Sequence, residues 1–153
     1  MINNNIEENY CSYEISKLLK DLGFKVPVQS CYDGSQCIAS YGKVFELKNY
    51  NVGGGTTTSR PSCYIALEWI RKNYQIYITS SLTYCYLDIN NNMVKENESG
   101  WIKVTNNITP TFYYKISNYN EPEKIIRQQS YFNSLNEAEE AALLYTLTNL
   151  IKS

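Results

Sequence analysis

The hydrophobic period of this chain changes in blocks, and that succession limits its folds more than any single motif does. From Ser12 to Leu22, the apolar residues Ile15, Leu18, Leu19 and Leu22 recur at the spacing of one helical face. Ser12 is placed to cap this helix, Glu14 lies in its favourable first turn, and Gly23 is placed to end it with Phe24 folding back. "FKVPVQSCYDGSQCIASYGKVFELKNYNV" then alternates and turns, with a bend at Asp33-Gly34 and Pro27 placing its segment at a sheet edge. "GGGTTTSRPS" reads as a flexible link into a helix from about Ser62 to Tyr74, buried through Ile65, Ala66, Trp69 and Ile70. "QIYITSSLTYCYLDI", "WIKV" and "TFYYKISNY" carry β-branched and aromatic strand patterns, the last two separated by "TNNITP". "NEPEKIIRQQS" leads to a final helix opened by Ser134 and Glu137, which form a capping box.

Strands and helices do not alternate regularly, so a doubly wound fold is excluded and an α+β class is expected. The expectation is an antiparallel sheet of about five to six strands packed with three helices, in the order α-β-β-α-β-β-β-α. A chain of 153 residues buries roughly two thirds of its unfolded surface, which suits one domain over residues 1–153.

Chemistry is conspicuous by what is missing. With no histidine anywhere, every imidazole-based triad, dyad or zinc site is excluded. Asp21, Asp33 and Asp88 are the only aspartates, and no carboxylate pair has catalytic spacing on one strand. Cys11, Cys31, Cys37, Cys63 and Cys85 form an odd set without a paired spacing, which fits packed reduced thiols better than a disulfide framework or a thiolate metal site. Cys31 and Cys37 could still meet across the intervening turn. The expectation is a protein that is not an enzyme and that carries no cofactor and no metal.

Three features remain as candidate sites. Gly53, Gly54, Gly55, Thr56, Thr57 and Arg60 stand before a helix start, where backbone amides, hydroxyls and a cation could meet an anion such as a nucleotide phosphate. The alternative is a plain connector, since the loop lacks the lysine of a P-loop and the spaced glycines of a dinucleotide turn. Tyrosine is abundant, with 15 copies against 4 phenylalanines, and Trp101, Tyr113, Tyr114 and Tyr119 could be exposed anchors on a recognition surface or rungs of an aromatic ladder. In the last helix, Leu143, Leu144, Leu147, Leu150 and Ile151 surround the axis, so it is buried by more than one surface. Core accounts for this pattern, and a subunit contact through Leu144, Leu147 and Ile151 is the alternative. A net charge of −1, and "SLNEAEE" where a double-stranded RNA-binding domain would place lysines, weigh against nucleic acid. The start has neither a basic region nor an apolar run, so no membrane association is expected.

"SYEISKLLKDLGF", "RPSCYIALEWIRKNYQIYI" and "YFNSLNEAEEAALLYTLTNLI" occur in an order that resembles a group of small uncharacterised proteins of phages and prophages of gut Bacteroidetes, including crAss-like phages. The likeness rests on Leu22-Gly23-Phe24, on Pro61-Ser62 with Ala66 and Trp69-Ile70, and on Ser134 with Glu137-Ala138. It implies a phage or mobile-element origin, and it brings no activity with it; with neither a signal peptide nor a membrane span at the start, the host bacterial cytoplasm is the expected place of a phage-encoded accessory protein. The expected role is a protein-interaction module for a host or phage protein, with self-association through the last helix open. Sequestering a nucleotide signal against host defence, or service as a minor virion component, are the alternatives.

Overall fold

The first helix, α1 (Tyr13–Asp21), begins and ends where its sequence says it should. Ser12 Oγ accepts the Ile15 amide at 3.5 Å. Gly23 takes φ +85°, which lets its own amide reach Lys20 C=O and the Phe24 amide reach Leu19 C=O, both at 2.9 Å. That double bond pattern is a Schellman cap, and it delivers Phe24 into the interior. The computed structural model describes residues 9–34, 37–39, 46–53, 55–95 and 104–151. After α1 come β1 (Ser30–Asp33), β2 (Cys37–Ala39), β3 (Thr57–Arg60), α2 (Cys63–Tyr74), β4 (Ile76–Asp88), β5 (Val104–Asn118), β6 (Ile125–Phe132) and α3 (Leu135–Tyr145). A π-helical turn, Thr146–Leu150, continues α3.

This is an α+β fold, but the expected single sheet is two antiparallel sheets of three strands, ordered β2-β1-β3 and β4-β5-β6. Alternation marks a strand without naming its neighbour, which is why the division does not show in the pattern. The chain forms two compact units, Met1–Tyr74 with Leu143–Ser153, and Gln75–Ala142.

In the first unit, β1 pairs β3 from Ser30↔Arg60 to Asp33↔Thr57, and β2 on its other side. The segment expected to be a flexible link therefore contains a strand, Thr57–Arg60, with Thr58 and Ser59 buried. Asn51 holds it in place: its Nδ2 donates to Phe24 C=O and its Oδ1 accepts the Ser59 amide, both at 2.8 Å. Of the segment expected to continue the strands, residues 43–45 lie outside those described, and Lys48 forms an isolated bridge with Val28. Helix α2 starts after Ser62 as expected, with Ser62 Oγ accepting the Ile65 amide at 3.4 Å. Its buried stripe is Cys63, Ala66 and Ile70, while Ile65 and Trp69 are only half-buried. Trp69 sits edge-on to Phe24 and Tyr74, each at 5.5 Å between ring centres. Ile15, Leu19, Phe24, Val28, Ile70, Leu143 and Leu147 are among the unit's buried side chains, and full burial of one such group contributes roughly 1.5–3 kcal/mol.

In the second unit, β4 and β5 make a long ribbon paired from Ile76↔Asn118 to Tyr86↔Ile108, with a register slip before Asp88↔Val104. "TNNITP" does not separate two strands; it lies inside β5. Pro110 is tolerated because β6 pairs with β5 only as far as Phe112↔Phe132, so among the described residues the missing amide faces no third strand. The stretch expected merely to lead to α3 contains β6, whose outer residues are exposed and whose pattern is too polar to read as a strand. Tyr131 adopts φ +73° at a bulge opposite Tyr113. Helix α3 is capped by Ser134, whose Oγ accepts the Glu137 amide at 3.2 Å, while Glu137 accepts the Asn133 amide at 3.0 Å.

Candidate functional site

The Gly-Thr segment does not present itself as an anion cradle. Lys20 Nζ donates to the carbonyls of Gly55 and Thr57, at 3.1 and 2.7 Å, so carbonyl oxygens there meet a cation. Thr57 Oγ1 donates to Tyr50 C=O at 2.9 Å and Thr56 Oγ1 to Asp33 at 3.2 Å. The start of α2 is occupied as well, because the Cys63 amide donates to Asn9 C=O at 2.7 Å. Gly53 lies in a turn at φ +79°, and Gly54 is outside the described residues. Arg60 is separated from these groups by the strand and lines a different place, a cavity of about 110 Å³ with Tyr10, Val28, Leu47, Ser62 and Ile65.

Of the aromatic candidates, Trp101 is outside the described residues, and Tyr114 is fully buried, with its hydroxyl 3.1 Å from Gln129 Oε1. Tyr113 is half-buried on the opposite face of β5, and Tyr119 packs edge-on to Tyr77. In the last helix, Leu147 and Ile151 are buried within the chain and Leu144 is half-buried, which agrees with the core reading of that helix.

The surface that stands out lies elsewhere on the ribbon. Cross-strand partners share a face, so Ile78/Ile116, Ser80/Tyr114, Leu82/Phe112, Tyr84/Pro110 and Tyr86/Ile108 form one face. Its inner half is covered: Tyr114 and Ile116 are buried, and Ser80 Oγ donates to Glu139 of α3 at 3.2 Å. Burial holds the Glu139 carboxyl above its ordinary range, the serine hydrogen bond opposing this only in part. The outer half stays apolar but open, with Leu82 47%, Tyr84 61%, Tyr86 58% and Ile108 57% exposed. None of these four carries a charge. The sequence signal was there, since residues 82, 84, 86 and 108 fall on one parity of two paired strands, but the pairing had to be known.

Burial, and then the Asp33 charge, push the Cys31 thiol up, and burial pushes Cys85 up, so both are held as thiols rather than thiolates. Cys31 is free, not bridged. Asp88, whose carboxyl is lowered first by the Asn92 amide, closes the turn Asp88–Asn92 through the Asn90 and Asn92 amides. No group of three or more metal-ligating side chains comes together among the described residues. No described helix is long and apolar enough to cross a membrane. Comparison with models of known protein families, with curated proteins and with solved structures gives no match.

Proposed function

We propose that this protein is a non-catalytic binding protein that docks on another protein through the outer half of the β4–β5 ribbon. The observation that carries the reading is the run of Leu82, Tyr84, Tyr86 and Ile108, four large apolar side chains on one strand face, exposed beyond the part α3 covers. Tyrosine and leucine at such spacing supply contact area with few rotatable bonds, and buried tyrosines are the residues that dominate protein interfaces. Among the described residues no cation lies on this strip, which favours a protein over a nucleic acid, whose phosphates would demand cations. The resemblance to phage-borne proteins makes a host or phage protein the partner, met in the bacterial cytoplasm.

The test is capture from infected cells with the wild-type chain and with a Tyr84→Asp/Tyr86→Asp variant in parallel. Both positions are exposed, so the fold should stand, as circular dichroism would verify. One partner retained by the wild type and lost by the variant supports the reading. Identical partners for both, or turnover of a substrate by the purified chain, refutes it.

A further inference from the structure

Arg60 is held in an arrangement that leaves its hydrogen-bonding edge without an acceptor. Its guanidinium carbon sits 4.2 Å from the centre of the Tyr10 ring and 5.7 Å from that of Tyr32. Such contacts engage the faces of the cation and leave its in-plane N–H groups unused. Among the described residues it makes no hydrogen bond and no ion pair, and its Nε is buried without a partner. Ser30, its direct cross-strand neighbour, has a buried Oγ that also lacks a partner. Two orphaned polar atoms on adjacent strands are a costly pair, because each buried unpaired group loses its hydration without return.

The rings are themselves fixed. Tyr32 Oη donates to Cys11 C=O at 2.7 Å, and Tyr10 pairs with Ser62 in an antiparallel bridge flanked by bonds from Cys11 to Pro61 and from Cys63 to Asn9. Residues two apart on a strand share a face, so the cation, Ser62 and Tyr10 point the same way. They meet the walls made by Val28, Leu47 and Ile65.

The geometry points to a carboxylate-binding pocket, in which Arg60 receives the carboxylate of a short apolar acid whose hydrocarbon part lies against Val28, Leu47 and Ile65. The cavity of about 110 Å³ is small, which limits the hydrocarbon part to a short group. A phosphate dianion fits less well, since Arg60 is the one cation among the described lining residues. The Cys63 and Ile65 amides at the neighbouring helix start are already bonded. The acid can be free or can be the C-terminus of a peptide, since the recognised chemistry is the same. This site does not depend on the ribbon surface and stands or falls separately from it.

The experiment is a titration of the isotopically labelled full chain, read by nuclear magnetic resonance at the Arg60 Nε–H and at Val28 and Ile65. The probes are 4-methylpentanoate and its neutral amide, and N-acetyl-leucine and its amide. The expected result is saturable binding of the acids, with the amides weaker by about tenfold or more, the loss of one charge-assisted hydrogen bond. Tighter binding of N-acetyl-leucine would identify a peptide end as the source, and tighter binding of 4-methylpentanoate a free acid. Leu47→Glu, at an exposed position where folding is not at risk, should weaken acid binding by a similar factor through repulsion. Equal binding of acid and amide, no saturation up to the solubility of the acids, or indifference to Leu47→Glu would overturn the assignment.

Discussion

Replacing Asn51 by alanine tests whether one polar side chain holds the first unit's strand in place. The side chain satisfies two main-chain groups, Phe24 C=O and the Ser59 amide, both at 2.8 Å, and both belong to buried residues. Alanine leaves them without partners. An orphaned buried group costs about 1–3 kcal/mol, and water can reach part of this half-buried site, so the sum should be about 2–4 kcal/mol. For a chain of this length that lowers Tm by roughly 4–16 °C. Asn49→Ala is the control, because Asn49 Oδ1 accepts a single bond, from the Asn51 amide at 3.0 Å, and its loss should cost about 1 kcal/mol or less. Urea unfolding followed by tryptophan fluorescence and circular dichroism, with the denaturant slope unchanged, would measure both. Equal losses for the two variants, or less than about 0.5 kcal/mol for Asn51→Ala, would refute the reasoning.

Glu139 has a raised folded-state pKa, so its ionisation opposes folding: stability from this group is intact below the unfolded value of about 4.3 and falls as pH rises through the folded value. Glu139→Gln should therefore stabilise the chain at pH 7 and be neutral near pH 4, and an equal effect at both in chemical unfolding would contradict this. Gly23→Ala should cost about 1–2 kcal/mol for backbone strain alone, since φ is +85° and nothing lies within 4 Å of the added carbon. Gly55→Ala, in ordinary contact with Thr57, should be within about 0.5 kcal/mol of neutral or slightly stabilising, and thermal melts that rank the two the other way would sink the comparison. The thiols of Cys11, Cys31, Cys63 and Cys85 should react with a disulfide reagent only on unfolding, and their rapid modification in the native chain would disprove their burial.

Helix ends were legible because their signals are local. Ser12, Gly23 and Ser134 act within a turn of where they stand, and each does what its side chain or backbone freedom suggests. Strand β3 was illegible because its interior is polar: Thr58 and Ser59 are both buried, Ser59 with its hydroxyl accepting the Tyr50 amide, so no apolar alternation announces them. The candidate surface was half legible. Tyrosine abundance pointed to the β4–β5 region, but Tyr114 is buried, with its hydroxyl on Gln129 and its ring beside Phe132, while Tyr84 and Tyr86 are exposed. Sequence proximity sets Arg60 beside the glycines, whereas the rings against its guanidinium, Tyr10 and Tyr32, are brought by the fold from elsewhere and leave no local signal.

Pro110 carries a consequence beyond local geometry. Past Phe112 the flank of β5 turned away from β4 has no β6 beside it, which would offer a foreign strand a template for sideways growth. The imino ring removes one rung from that template and interrupts any continuous ladder along it. A Pro110→Val exchange would restore the rung, turning a self-limiting border into a seam along which neighbouring molecules could polymerise.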